Sequence, residues 1–175
     1  MHLQVVKKKN SSPIKELEKS QLIINEASDI VRDLSHKLIS SVLIKFGLKT
    51  ALQGLCEKYS NDDLSFTLNT TTQIPRYEQD FELKIFNIIQ ESTNNIIKHS
   101  NASATSIYMK QIDTNLLITI EDNGVGFNAE NTALKKGVGL DLIKTQIKNL
   151  NGHIQITSIE NKGTSIEISV PVIIA

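Results

Sequence analysis

Apolar residues recur at helical spacing through the first quarter of the chain, where Leu17, Leu22, Ile24, Ile30, Leu34, Leu38 and Leu43 form one stripe. The pattern predicts a long helix beginning at Ile14, after a frayed stretch whose only packing candidates are Leu3, Val5 and Val6. Gly47 interrupts the stripe, and a second helix from Leu48 to about Tyr59 carries Leu52 and Leu55 up to the Asn61-Asp62-Asp63 turn. Beyond that turn the period changes. Alternating apolar and polar positions predict strands at Ser65–Thr71, Thr105–Lys110, Asn115–Glu121, His153–Ser158 and Thr164–Val172. Helical spacing returns between them, over Gln79–His99 and Leu140–Leu150. This order predicts an α+β fold: a two-layer α/β sandwich, a mixed sheet with helices on one face, preceded by a helical extension. Three regions are expected, a frayed 1–13, an extension 14–60 and a domain 61–175, with no internal repeat or low-complexity segment.

The long helix between the first two strands carries chemistry beside its packing face. Phe81, Ile85, Ile88, Ile89 and Ile96 make the apolar side, while Glu91, Asn95 and Lys98 fall within a wedge of about 60° at roughly 100° per residue. A charged solvent face is the ordinary explanation of such a wedge. The same residues also suit a phosphate site. Magnesium takes hard oxygen ligands and keeps most of its waters when it bridges phosphates, so an Asn carbonyl oxygen is an apt single ligand. Lys98 would offset phosphate charge as a mobile cation, and Glu91 would orient a nucleophile or a metal-bound water.

The second segment, Glu121 to Phe127, follows the alternating Leu116, Ile118 and Ile120, which sets Asp122 at a strand end. Asn123-Gly124 is a strong hairpin signal, but a hairpin needs a returning strand. What returns, Asn128-Ala129-Glu130-Asn131-Thr132, is polar and non-alternating, so a turn into a loop fits better. Gly124 and Gly126 permit positive φ and close approach to a flat ligand, and the Asp122 carboxylate can accept from an exocyclic amine. The third segment, Lys135-Lys136-Gly137-Val138-Gly139-Leu140, opens the helix of Leu140, Ile143, Ile147 and Leu150, with Gly152 as its stop. Free N–H groups and the positive end of a helix dipole make such a start an anion site. Glycines alone there often serve as joints, and the two adjacent lysines strengthen the phosphate reading.

Together these residues resemble the ATP-binding module of the GHKL superfamily, and in particular the catalytic domain of bacterial sensor histidine kinases. The resemblance spans about Phe66 to Pro171: ESTNNIIKHS stands at the N box, DNGVGF at the G1 box, GVGL at the G2 box, and Gly163-Thr164 at the last nucleotide-contacting turn. It implies a Bergerat-type fold, ATP and Mg2+ as cofactors, Asn95 as metal ligand and Glu91 in phosphoryl transfer. Asp122 would bind the adenine amino group, Gly124 and Gly126 would shape the base pocket, and Thr164 would support the base. Gly137, Gly139, Leu140 and Lys98 would serve the phosphates. The short loop 128–136 resembles the short-lid, nitrate-sensor and degradation-sensor branch.

In that branch a phosphoacceptor histidine sits in an Arg-x-Leu-His-Asp core. Here the nearest string is Arg32-Asp33-Leu34-Ser35-His36, one place out of register and with no acidic residue after it. The segment LSHKLISSVLIKFGLKTALQGLCEKY resembles instead the second helix of a dimerisation hairpin, which makes His36 structural and places the acceptor outside this chain. The resemblance thus implies a histidine protein kinase fragment working in a two-component phosphorelay. Its expected partners are ATP, an upstream phosphoacceptor hairpin, a response regulator and a second copy through residues 14–45.

Composition fits one intracellular domain. Nineteen Lys+Arg balance nineteen Asp+Glu, so no global charge favours nucleic acid, and Lys7-Lys8-Lys9 reads as a solvated tail. A single cysteine, Cys56, read as a buried or half-buried helix residue, excludes an intrachain disulfide and suits a reducing cytosol. No apolar run approaches the roughly 20 residues that span a bilayer, and a cytoplasmic location is expected. His99 is read as leaning toward the apolar side of its helix, for packing or local hydrogen bonding instead of catalysis, and neither His2 nor His153 has metal-site company. Two related readings share the ATP site. An anti-sigma-factor-like serine kinase would not need the long stripe from Leu17 to Leu43, and gyrase, chaperone or mismatch-repair ATPases would need a transducer domain beyond it. A non-catalytic adenine-nucleotide-binding module is the remaining alternative, against which stand Glu91, Asn95 and Lys98.

Overall fold

Three apolar rows on one face of a sheet set the architecture. The computed structural model describes residues 41–70, 73–127 and 138–172; the expected frayed end, the stretch 14–40 with His36, and Lys135, Lys136 and Gly137 lie outside the described residues. The strands are β1 (Ser65–Thr70), β2 (Ala104–Ile112), β3 (Asn115–Asp122), β4 (His153–Ile159) and β5 (Gly163–Pro171), in the order β1-β2-β3-β5-β4. β1 runs parallel to β2, and the other neighbours are antiparallel. The register aligns Ile107, Ile120, Ile166 and Ile156 in one row, Met109, Ile118, Ile168 and Ile154 in the next, and Gln111, Leu116 and Val170 in the third. Most of these side chains are buried. The opposite face carries Tyr108, Lys110, Glu121 and Glu167, all exposed, because alternate residues on a strand face opposite ways.

Three helices supply the second layer: α1 (residues 41–59), α2 (Gln79–His99) and α3 (Val138–Asn149). They bury Leu43, Leu48, Leu52 and Leu55 from α1, Phe81, Ile85, Ile88 and Ile89 from α2, and Ile143 and Ile147 from α3. Inside α2, Ser92 and Thr93 are buried without cost because their hydroxyls donate to the carbonyls of Ile88 and Ile89, one turn back, at 2.9 and 2.8 Å. Acidic Asp80 and Glu82 in the first turn and basic Lys98 and His99 in the last complement the helix dipole.

α1 is bent where the stripe breaks. Gly47 sits at φ 84°, and a Cβ there would lie 2.8 Å from Cδ of Arg76. Arg76 donates to the carbonyl of Ile44 at 3.1 Å and to both oxygens of Glu82 at 3.1 and 3.2 Å. Glu82 is fully buried and also accepts the Tyr77 backbone N–H at 3.1 Å. One ion pair therefore joins the bend of α1 to the start of α2. The aromatic ring of Tyr77 fills the space beneath, its hydroxyl donating to Gln111 on β2 at 3.0 Å.

Several boundaries differ from the sequence expectation. β2 continues to Ile112 instead of stopping at Lys110, because Asp113 adopts φ 51° and lets Asp113-Thr114 close a tight hairpin to β3. α3 begins at Val138, so Gly139 lies in its first turn. At its far end Asn151, not Gly152, takes the left-handed conformation, at φ 54°. Gly152 is required for another reason: any Cβ would run into Cγ1 of Val170. His99 is exposed, not packed on the apolar side, since it falls in the final turn of α2 beyond the last contact of that face.

Candidate functional site

A fourth row, polar throughout where the other three are mainly apolar, ends the helix-facing side of the sheet. It runs Thr105, Asp122, Thr164 and Ser158 across β2, β3, β5 and β4. Asp122 is 9% exposed, and burial raises its carboxyl above the ordinary carboxylate range. The backbone N–H groups of Gly124 and Thr164 offset part of that cost, the first at 2.8 Å from Oδ1. Thr164 and Ser158 share a hydrogen bond of 3.0 Å, and Ser158 accepts the N–H of Phe127 at 2.8 Å.

The segment after Asp122 is a loop held on two sides, not a hairpin. Asn123 accepts the backbone N–H groups of Ser103 and Ala104, each at 3.0 Å, which turns the chain away from the sheet. Val125 donates to the carbonyl of Ser100, the residue capping α2, at 2.7 Å. A Cβ on Gly124 would strike that same carbonyl. On the other side Asn161 donates to the Val125 carbonyl at 2.6 Å, and Gly126, at φ 57°, lies so close to the Ile159 carbonyl that no side chain fits. Gly163, at φ 95°, is likewise pressed onto the Asp122 carbonyl. The glycines thus permit backbone-to-backbone packing that brings the end of α2, the loop after β3 and the β4–β5 turn together.

The third segment meets the first directly. A Cβ on Gly139 would lie 2.8 Å from Oε1 of Glu91 and 3.1 and 3.2 Å from the amide nitrogen and oxygen of Asn95. Asn95 Nδ2 is buried with no hydrogen-bond partner. Leaving a buried polar group unpaired costs roughly 1–3 kcal/mol, which marks this as a place where something else would complete the bonding. Lys98, exposed in the last turn of α2, has no ion-pair partner among the described residues. Leu140 is half-exposed on α3. Of the sequence candidates, Glu91, Asn95 and Gly139 therefore meet at one point; Asp122, Gly124, Gly126 and Thr164 meet at another, and α2 with its cap Ser100 links the two. Gly137 lies outside the described residues.

Two residues of the polar row, Thr105 and Ser158, were not legible in the sequence as site residues, and neither was Ser100. Their relevance depends on strand register and cap geometry, which no local pattern encodes. A depression of 410 Å3 at this end of the sheet is lined by Asp122, Gly163 and Thr164 and, on the open face, by Ser106, Glu121, Thr157 and Ser165. The open-face residues alternate with the polar row and point the other way. Among the described residues no group of three or more His, Cys, Asp or Glu is placed to hold a metal. No described helix is long and apolar enough to cross a membrane.

A mixed sheet under three helices, with a carboxylate in a glycine-walled recess and a polar helix beside it, defines an ATP-binding domain of the Bergerat type. A model of the histidine kinase-, DNA gyrase B-, and HSP90-like ATPase family matches residues 81–174, more than half of the chain, and the chain belongs to that family. Among curated relatives, the sensor histidine kinase ComP of Bacillus subtilis (strain 168) is 32% identical over 170 residues, covering 93% of this chain and 22% of ComP. The oxygen sensor histidine kinase NreB of Staphylococcus carnosus (strain TM300) is 25% identical over 151 residues, covering 86% of this chain and 44% of NreB. The chain thus spans less than half the length of these relatives. Among solved structures, the Acinetobacter baumannii histidine kinase AdeS shares the fold with a TM-score of 0.63 at 19% identity, over 91% of this chain and 86% of AdeS. The chain holds an ATP-binding catalytic domain of the histidine kinase kind.

Proposed function

We propose that this domain binds ATP with Mg2+ and transfers the γ-phosphoryl group to a histidine on a helical hairpin outside the chain. The observation that carries the reading is the meeting of Gly139 with Glu91 and Asn95, with the unpartnered Asn95 amide at its centre. Turning that amide about its last bond exchanges nitrogen and oxygen, so Asn95 can present a carbonyl oxygen to a metal ion. A site with one protein oxygen and no acidic cage suits magnesium, which takes its other ligands from phosphates and water. When bound, the ion would neutralise charge on the phosphates.

The remaining chemistry belongs to the chain. Asp122 accepts from the adenine amine, Gly124 and Gly126 keep the base recess open, and Thr164 supports the base. Gly139 and Leu140 lie in the first turn of α3, whose N–H groups and dipole receive phosphate oxygens together with Gly137, and Lys98 adds a mobile positive charge. Glu91, against Gly139, orients the incoming imidazole so that its Nε2 attacks in line with the leaving oxygen. Positioning and charge neutralisation then supply most of the rate. The upstream hairpin, a response regulator, pairing of two copies through residues 14–45, and action in the cytoplasm complete the proposal.

The test is incubation with γ-labelled ATP, alone and with an acceptor-histidine hairpin supplied in trans. Acid-labile label on the hairpin is the expected result. Acid-stable label on a serine would instead favour a protein serine kinase, and binding without transfer a nucleotide-sensing module.

A further inference from the structure

We propose that the hydroxyl of Thr105 is a second base-contacting group of this site, acting beside Asp122 on the polar edge of a 6-aminopurine. The inference rests on the nucleotide reading above and deepens it. Thr105 stands on β2 directly opposite Asp122 on β3, on the helix-facing side of the sheet. Residues so paired hold their Cβ atoms roughly 4.5–5.5 Å apart, so a ligand atom group touching one carboxylate oxygen is within reach of the hydroxyl.

Thr105 is 1% exposed, and its Oγ1 has no hydrogen-bond partner. Buried hydroxyls are nearly always paired. The other hydroxyls of the row are committed: Thr164 and Ser158 bond each other at 3.0 Å, and Ser158 also takes the Phe127 N–H. Thr105 is thus the one member of the row left with both a proton and lone pairs to offer. Its position is enclosed on the β1 side by Phe66, its register partner there, which is itself buried and apolar.

The chemistry is complementary to that of its neighbour. An ionised carboxylate only accepts, whereas a hydroxyl donates and accepts. The edge of adenine that bears the 6-amine presents a donor, the amine, next to an acceptor, the ring nitrogen. Asp122 answers the first and Thr105 the second. A 6-oxopurine reverses both groups on that edge, so discrimination stays with the carboxylate, while the hydroxyl, which can turn to donate or to accept, adds affinity at the ring nitrogen of either base.

The experiment is calorimetric titration of the protein and its Thr105→Val and Thr105→Ser variants with ADP and with IDP, alongside thermal melting without nucleotide. Valine keeps the shape and removes only the hydroxyl. The expected result is ADP binding ~3- to 10-fold weaker in Thr105→Val, the range for loss of one neutral hydrogen bond. The preference for ADP over IDP should stay with Asp122 and change little, because the hydroxyl serves either ring nitrogen, and Thr105→Ser should retain most of the affinity. The unliganded Thr105→Val protein should melt at or above the parent temperature, because an unsatisfied buried hydroxyl has been removed. Unchanged ADP affinity in Thr105→Val overturns the inference, as does a lowered melting temperature with equal weakening in Thr105→Ser. Should the parent protein bind no ADP at all, the nucleotide reading itself fails and takes this one with it.

Discussion

Replacing Asp122 by asparagine removes one charge from the base recess and almost nothing else. The asparagine oxygen can still accept the Gly124 N–H that now reaches Oδ1 at 2.8 Å, so the loop against Ser100 should keep its path. What changes is the group offered to the ligand: an amide nitrogen, a donor, can face the adenine amine, also a donor. A hydrogen bond to a charged group contributes about 1.5–3 kcal/mol, so ADP affinity should fall about 10- to 150-fold. The unliganded fold should not suffer, since burial holds the Asp122 carboxyl above its ordinary range and the variant no longer buries that charge. The pH dependence follows in sign. The folded protein binds this proton more tightly than the unfolded chain does, so Asp122 erodes stability as pH rises from the ordinary carboxylate value through its raised value. Below that window the penalty is absent; above it the penalty is complete. Nucleotide binding runs the other way, because the amine needs the ionised acceptor, and ADP affinity should weaken as pH falls through the raised value. Titration calorimetry with ADP from mildly acidic to neutral pH, paired with thermal melts, measures both. An Asn variant that melts normally and binds ADP within about twofold of the parent would refute base recognition by this residue.

Asn95→Ala should leave nucleotide affinity without magnesium nearly intact and abolish the gain that magnesium brings, with loss of phosphotransfer; ADP titrations with and without the ion check it. Arg76→Ala strips the fully buried Glu82 of its ion pair and leaves the Tyr77 N–H as its remaining partner. Breaking a buried pair costs about 3–5 kcal/mol, and because the Arg76 side chain is 48% exposed, so that water can enter, the loss should fall at or below the lower end of that range. Urea denaturation reads it, and a change within experimental error would show the pair to be idle. Cys56 is 6% exposed on α1, and burial, with Glu57 adding to it, pushes its thiol up to about 11. Iodoacetamide, which reacts with thiolate, should therefore leave native protein unmodified at pH 8 and label it in denaturant; rapid native labelling would contradict the packing of α1.

Much of this arrangement could be read from the chain because its signals are local. The apolar positions from Phe81 to Ile96 mark α2 from Gln79 to His99, and the alternation of Leu116, Ile118 and Ile120 marks β3. The same locality explains what escaped. Thr105 and Ser158 look like ordinary strand residues until β2, β3, β5 and β4 are set in register, which places them in one row with Asp122. Gly139 was legible as a helix-start glycine, but not as the point of contact with Glu91, a neighbour 48 residues earlier that only tertiary packing supplies. Asn151 took the left-handed turn expected of Gly152 because asparagine tolerates that conformation. Gly152 was needed against Val170, a strand away.

The central claim is that Asn95, Asp122 and Gly139 serve one nucleotide. Amide NMR of the protein titrated with ADP and magnesium tests it most directly, following the Asn95 side-chain amide together with the backbone N–H groups of Gly124 and Gly139. The account requires all three signals to shift along one saturation curve with a single dissociation constant. Shifts confined to Gly124, or separate curves for Gly124 and Asn95, would contradict it.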